Sequence, residues 1–269
     1  MATSTLRSIR TLKPPSVLSA YVLHHYDWSE SSLILDLFTR EQGRLTVVAK
    51  GAKRPYSQLR PILLPFQRVN VSLVKARSKG DGLAADASIS DVQTLRTAEW
   101  SGGAPMFGGA ALFSGFYLNE LLMKLLARHD PHQRLWDIYA ETLPFLAAPG
   151  DEAVTASLRA FEIVLLQEIG LLPDLSLVTL TQQPVIEDRR YCLIPEAGVA
   201  GTRAGESELR GEVLIGLQAA LEHGSLAALQ HATTRALPEL KMALRGLLHY
   251  HLGSPVLRTR QVMQQMHKP

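Results

Sequence analysis

Ten basic residues fall between positions 40 and 79: Arg40, Arg44, Lys50, Lys53, Arg54, Arg60, Arg68, Lys75, Arg77 and Lys79. A single acid, Glu41, opposes them. The chemistry open to such a run is neutralisation of a polyanion, in which Lys and Arg displace counterions from phosphates. The bland reading is a solvated face that keeps the protein soluble, but a balance of +9 in forty residues is far from interspersed. A second basic run follows Glu239, with Lys241, Arg245, Arg258, Arg260 and Lys268 and no acid. Tyr26, Trp28 and Tyr56 flank or enter the first run. Rings of this kind stack on nucleobases without regard to sequence. Each alone is more often core or turn packing, so the charges carry the inference.

Other constellations fail on geometry. Ser72 and Lys75 spell SxxK within an alternating strand, where residues three apart point to opposite faces and cannot pair as nucleophile and base. His249 and His251 are two apart on a predicted helix, about 200° around it, and cannot share a metal. His24 and His25 point to opposite faces of a predicted strand. His129 and His132 could converge across a helix break, but no third ligand lies nearby. No phosphate loop of the form GxxxxGK[ST], no HExxH and no GxSxG occurs. Gly102, Gly103, Gly108 and Gly109 have the wrong spacing for a dinucleotide turn and read as a linker. Paired carboxylates for acid–base work would have to come from distant segments. Nothing in the motifs supports an active site.

Composition sets the outer bounds. The chain has 269 residues, 28 Lys+Arg against 25 Asp+Glu, and 46% hydrophobic residues, which is ample for a sizeable core and excludes disorder throughout. No apolar run is long enough to span a membrane. Cys192 is the lone cysteine, which removes intramolecular disulfides and thiolate zinc clusters and fits a reducing compartment. The net charge of +3 averages two opposites: residues 1–99 carry 14 basic and 8 acidic groups, and residues 100–269 carry 14 and 17.

The elements that must position these residues follow from periodicity. Residues 1–15 are rich in Ser, Thr and Arg and read as a short disordered tail, with a transit peptide as the less favoured alternative. Strand-like segments are predicted at 17–23, 33–38, 45–49 and 69–74, with a weaker fifth at 83–89. Glu41-Gln42-Gly43 is a hairpin signal, Gly43 suiting a positive φ. Five short strands suggest a small barrel or sandwich over 16–99. After a Gly/Pro-rich junction beginning near Trp100 the period becomes helical. Helices are expected at 110–128, from Pro131 with Asp130 as N-cap, from Asp151 to Ile169 with Gly170 closing, and at 206–223, 226–230, 237–252 and 256–266. The fold class is α+β in two parts, a β module followed by an all-α helical domain over 100–269 with an irregular stretch at 173–205.

Several blocks carry a resemblance. Tyr21-Val22-Leu23-His24, Trp28-Ser29-Glu30-Ser31-Ser32, Thr39-Arg40-Glu41-Gln42-Gly43-Arg44, Val48-Ala49-Lys50-Gly51-Ala52-Lys53-Arg54 and Leu64-Pro65-Phe66 resemble the opening of the RecO family, bacterial DNA-repair and recombination-mediator proteins. Ser114-Gly115-Phe116-Tyr117-Leu118-Asn119-Glu120-Leu121-Leu122 is similar to that family's most recognisable segment. Leu158-Arg159-Ala160-Phe161-Glu162, with Leu165-Leu166 and Ile169-Gly170-Leu171, is similar to its next helix. Lys241, Arg245 and His251-Leu252-Gly253-Ser254-Pro255-Val256-Leu257-Arg258-Thr259-Arg260 resemble its C-terminal end. The blocks run in order over roughly residues 18–266.

The resemblance implies an N-terminal OB-fold barrel and a cytoplasmic, nucleoid-associated protein. It implies binding to single- and double-stranded DNA, annealing of complementary strands, and help in loading RecA onto strands coated by single-strand-binding protein. RecR and the acidic C-terminal tail of single-strand-binding protein are the implied protein partners. None of this needs catalysis or a cofactor. Some members carry a four-cysteine zinc site, whereas the corresponding region around 178–205 holds only Cys192, so zinc is not expected. Candidate phosphate contacts are Arg40, Arg44, Lys50, Lys53, Arg54 and Arg60, with Arg68, Lys75, Arg77 and Lys79 in second rank and Lys241, Arg245, Arg258 and Arg260 as a second patch. Arg159, beside Phe161 and Leu165, is the candidate rim for an acidic, apolar-tipped peptide; an ion pair with Glu162 is the equal alternative. Two rival functions stay open: a protein-interaction scaffold with a basic face and no DNA contact, and a nuclease or hydrolase with scattered carboxylates.

Overall fold

The structure is a computed structural model that describes residues 17–74, 92–104, 106–253, 257–259 and 261–262. Five strands close into a barrel in the order β1-β2-β3-β5-β4: β1 (Val17–Asp27), β2 (Leu33–Thr39), β3 (Gly43–Ala49), β4 (Gln67–Val74) and β5 (Val92–Gly103). All neighbouring pairs are antiparallel except β3 with β5, and β4 returns to β1, which is the OB-fold. Alternate residues of the first strands face inward, so Leu18, Ala20, Val22, Leu35, Leu37, Leu45, Val47, Val69 and Val71 make a dry centre. Gly43 turns the β2–β3 hairpin at φ +69°, as its position predicts.

The fifth strand differs from expectation. Segment 83–89 lies outside the described residues, and the barrel is closed by β5 instead, which runs through Trp100. Along β5 only Leu95 is buried, so there is no apolar alternation to betray it. β4 keeps its alternation, with Val69, Val71 and Leu73 on the barrel core, and the register shift opposite Ser72 and Leu73 is a bulge at Arg96 of β5; Ser72 is buried on the other side and shares a hydrogen bond with Thr97.

Among the described residues the named helices that follow are α1 (Gly109–Leu125), α2 (Gln133–Phe145), α3 (Asp151–Glu168), α4 (Gly211–His223), α5 (Leu226–Thr234) and α6 (Leu237–Leu252). Gly170 follows α3 at φ +72°, the left-handed closure its position predicts. The second helix starts later than predicted, at Gln133 with His132 as its cap. The backbone of 128–130 is held elsewhere: Arg128 bridges to Arg44, the His129 N–H donates to the Arg44 carbonyl at 3.0 Å, and Asp130 packs on Gly43. The part after Gly103 is also not purely helical. Within the expected irregular stretch lie the hairpin β6 (Leu177–Val178) and β7 (Gln183–Pro184), and strands β8 (Arg190–Ile194) and β9 (Gly198–Gly201). β10 (Glu208–Arg210), at the head of the expected 206–223 helix, pairs with β8.

The two parts share one interior. Tyr21, Leu23, Phe38 and Phe66 leave the barrel outward and join the helical core beside Trp136, Tyr139 and Phe161. The Trp136 indole N–H donates to the Phe38 carbonyl at 3.0 Å, and the Asn119 amide donates to the Leu23 carbonyl at 2.7 Å. These satisfied polar links fix α1 and α2 against β1 and β2.

Candidate nucleic-acid interface

Period-two alternation along β3 sends Arg44, Thr46, Val48 and the following Lys50 to the same outer side. Six residues of strand separate Arg44 from Lys50, a span of about 20 Å. Asp36 and Ile34 of β2 lie opposite Thr46 and Val48, and His24 and Tyr26 of β1 lie opposite Asp36 and Ile34. The register shift between Val22 and His24 is what brings His24 onto this side. The His24 and Tyr26 rings meet edge to face, with centroids 4.4 Å apart. Thr46 donates to Asp36 at 2.9 Å, and Tyr26 also bonds that carboxylate. Burial raises the Tyr26 phenol pKa and the Asp36 charge adds to this, against the opposing pull of Arg258 and Arg44.

Loops 28–32 and 50–66 surround the mouth of the barrel above this face. The Lys53 N–H donates to the Ser31 carbonyl at 3.0 Å, and its ammonium reaches Asp27 at 3.2 Å and the Ser29 carbonyl at 3.1 Å. Lys53 therefore staples the two loops together and is only partly free for a ligand. Lys50, Arg54 and Arg60 are exposed, and none forms an ion pair among the described residues. Trp28 is 65% exposed and Tyr56 96% exposed, so neither is core packing. A cleft of about 350 Å³ opens here, lined by His25, Asp27, Leu33, Lys53, Arg60 and Leu63.

Several predicted contacts are committed elsewhere. Arg40 donates twice to Asp137 of α2, at 3.0 and 2.9 Å, and so stitches the barrel to the helices. Arg68 lies over the Trp136 ring, 4.9 Å from its centroid. Arg44 is half-buried: its guanidinium donates to the Met123 carbonyl of α1, and its Nε is buried without an acceptor. Burial lowers the Arg44 pKa and neighbouring Arg128 lowers it further, with Asp36 and Tyr26 opposing. Lys75, Arg77, Lys79 and Arg260 lie outside the described residues. Lys241 and Arg245 stand on α6, which packs on α3, β8 and β10.

The candidate peptide rim is corrected. Phe161 and Leu165 are fully buried, because α3 is enclosed by α2, α5 and α6, and so they cannot wall an open groove. Arg159 pairs with Glu162 at 2.6 Å, the ion-pair alternative. Missed from the sequence is Arg128, an exposed cation in the segment that follows α1. Its only sequence signal is a lone base beside His129. What gives it meaning is the bridge to Arg44, which periodicity does not reveal.

Among the described residues no cluster of His, Cys, Asp or Glu is placed to hold a metal ion, and Cys192 is buried in β8. No helix among them is long and apolar enough to cross a membrane.

Residues 16–94 match the family model described as Recombination protein O N terminal, and residues 107–261 match Recombination protein O C terminal. The DNA repair protein RecO of Verminephrobacter eiseniae is 50% identical over 249 residues, covering 91% of this chain and 93% of that protein. That of Variovorax paradoxus is 47% identical over 256 residues, covering 92% and 95%. That of Polaromonas naphthalenivorans is 48% identical over 249 residues, again covering 92% and 95%. With both family models matched in order along a barrel-then-helices fold, the chain belongs to the RecO family.

Proposed function

We propose that this protein is a non-enzymatic mediator of DNA repair and homologous recombination that binds single- and double-stranded DNA. It anneals complementary strands and helps load RecA onto strands coated by single-strand-binding protein. The observation that carries the reading is the mouth of the barrel, where Lys50, Arg54 and Arg60 stand exposed without ion pairs beside the exposed rings of Trp28 and Tyr56. Cations without carboxylate partners keep their charge available to phosphates, and the rings add stacking that every base accepts. Annealing demands contacts that screen the repulsion between two strands and then release the duplex. Exposed Lys and Arg meet this demand better than a deep, rigid pocket does. RecR and the acidic tail of single-strand-binding protein are proposed as partners on family membership alone.

The test is fluorescence anisotropy of a labelled oligothymidylate across a salt series. The expected result is binding at low salt that weakens steeply as salt rises. No binding at low salt, or a flat salt slope, overturns the reading in favour of a protein-interaction scaffold.

A further inference from the structure

Three distant parts of the chain converge at the end of the β1–β2–β3 face that lies away from the barrel mouth. Arg44 comes from β3, with its buried Nε lacking an acceptor. Arg128 comes from the extended segment that follows α1 and bridges to Arg44 through the backbone. The third part is the strap 257–259. Leu257 of the strap is buried in the helical core and Arg258 is exposed. The strap is fixed by one carboxylate: Glu120 of α1 accepts from Arg258 N at 2.9 Å, from Thr259 N at 3.0 Å and from the Thr259 hydroxyl at 2.7 Å. Arg258 and Arg44 are both close enough to Tyr26 to oppose the rise of its phenol pKa.

The acids around this cluster have partners of their own, Asp130 facing His132 at 3.4 Å. Asp36 is bonded by Thr46 and Tyr26, while Glu120 holds the strap and Lys124, at 3.3 Å. Neither Arg128 nor Arg258 makes an ion pair among the described residues. Guanidinium groups gathered with so little compensation repel one another, and an anion placed among them relieves that repulsion. Beside them lie the His24 and Tyr26 rings, flat surfaces for a base rather than an apolar pocket for a peptide tip.

We propose that Arg44, Arg128 and Arg258 form a seat for a phosphodiester group of a single strand that runs along β3 toward Lys50. Glu120 is the positioning residue that holds Arg258 in the seat. This rests on the DNA-binding reading and extends it: the site is completed by the helical part and by the C-terminal strap, not by the barrel alone.

The experiment uses the full chain, a labelled oligothymidylate and a salt series, with Arg128→Glu/Arg258→Glu, Arg258→Glu, Glu120→Gln, Glu120→Gln/Arg258→Glu and Thr259→Val variants. Both arginines are exposed, so the double variant keeps its melting temperature. Its slope of log affinity against log salt falls by about 1.4, at about 0.7 for each single-strand phosphate that is no longer neutralised. Glu120→Gln lowers affinity about as much as Arg258→Glu and adds nothing to it, because both act through the same phosphate. Thr259→Val, which spares the carboxylate, gives a smaller loss in the same direction. Unchanged slope and affinity in the double variant, with wild-type protein binding normally, overturns the seat and leaves DNA binding standing. Absence of wild-type binding overturns the underlying reading instead. Additivity of Glu120→Gln with Arg258→Glu overturns the positioning role. Loss of a labelled acidic peptide with oligonucleotide binding intact assigns the cluster to a protein partner and overturns the phosphate.

Discussion

Glu120 and Thr259 stand 139 residues apart in the chain and share two hydrogen bonds, one to the Thr259 backbone N–H and one to its hydroxyl. Burial alone raises the Glu120 carboxyl, but the bonds from Thr259, Arg258 and Lys124 outweigh it and hold the pKa below the usual glutamate value. A depressed carboxylate stabilises the fold fully above its unfolded pKa, about 4.3, and loses that contribution as pH falls through the lower folded value. The strap is therefore expected to stay closed at neutral pH, to begin loosening as pH falls below the unfolded value and to be released only as pH passes the lower folded one. Hydrogen exchange at the Thr259 amide checks this: protection falls in acid for the wild type. In Glu120→Gln it is already weaker at pH 7, by on the order of 2 kcal/mol for charge-assisted bonds, and is nearly flat with pH.

Gly43→Ala is expected to destabilise the protein by at least about 2 kcal/mol, because two penalties coincide. The residue sits at φ +69°, and a Cβ there would lie 1.9 Å from the Asp130 carbonyl oxygen. Asp130 belongs to the segment that fixes Arg128 beside Arg44, so the damage reaches the interface as well as the hairpin. Urea unfolding gives the stability loss. An unchanged midpoint would mean that 128–130 moves aside freely.

Arg40 and the mouth cations are expected to behave differently despite their shared place in the basic run. Arg40 is bidentate to Asp137, but both side chains are well exposed and the pair is screened by water, so Arg40→Ala leaves the unfolding midpoint close to that of the wild type. Its charge is already matched, and DNA affinity stays within about twofold of wild type. Lys50→Glu/Arg54→Glu/Arg60→Glu lowers the salt slope by about 2, at about 0.7 per phosphate, and weakens binding equally for all sequences. Anisotropy on two oligonucleotides of unlike sequence separates these outcomes. A shift in sequence preference would count against phosphate contact.

The contrast between Arg40 and Arg54 marks how far the sequence could be read. Strands β1 to β3 were legible because their inner faces alternate through Leu, Val and Ala, and Gly43 announced its turn. Strand β5 was not, because only Leu95 among its residues reaches the core. Charge density located the basic module, and the breaker-rich loop after Ala49 pointed to exposed Lys50 and Arg54. What the sequence does not carry is the partner of each cation. Asp137 is 97 residues from Arg40, and the Trp136 ring under Arg68 also comes from a distant part of the chain. Arg128 and Glu120 were invisible as site residues for the same reason, since their roles depend on contacts with Arg44 and Thr259. Phe161 and Leu165 carried the opposite error: apolar spacing on a helix does not tell a groove from a core when neighbours enclose it on several sides.

Trp28 and Tyr56 test whether the barrel mouth touches bases or only phosphates. Both rings are exposed beside unpaired cations, and Trp28 sits in a loop that Lys53 staples to its neighbour, so the backbone that carries the ring is anchored. A ring on an anchored backbone loses less freedom on stacking. Trp28→Ala is therefore expected to weaken single-strand binding by about 1 to 3 kcal/mol with an unchanged salt slope, since every phosphate keeps its cation. Tyr56→Ala acts in the same direction but less, because Tyr56 is almost wholly exposed and lacks such a staple. Of the three tryptophans, Trp136 is buried and Trp100 is tied to Gln67 by its indole N–H. Quenching of intrinsic fluorescence by an oligonucleotide should then come mainly from Trp28 and shrink sharply in Trp28→Phe. Quenching that persists in that variant would move the stacked base away from the mouth and toward Trp100.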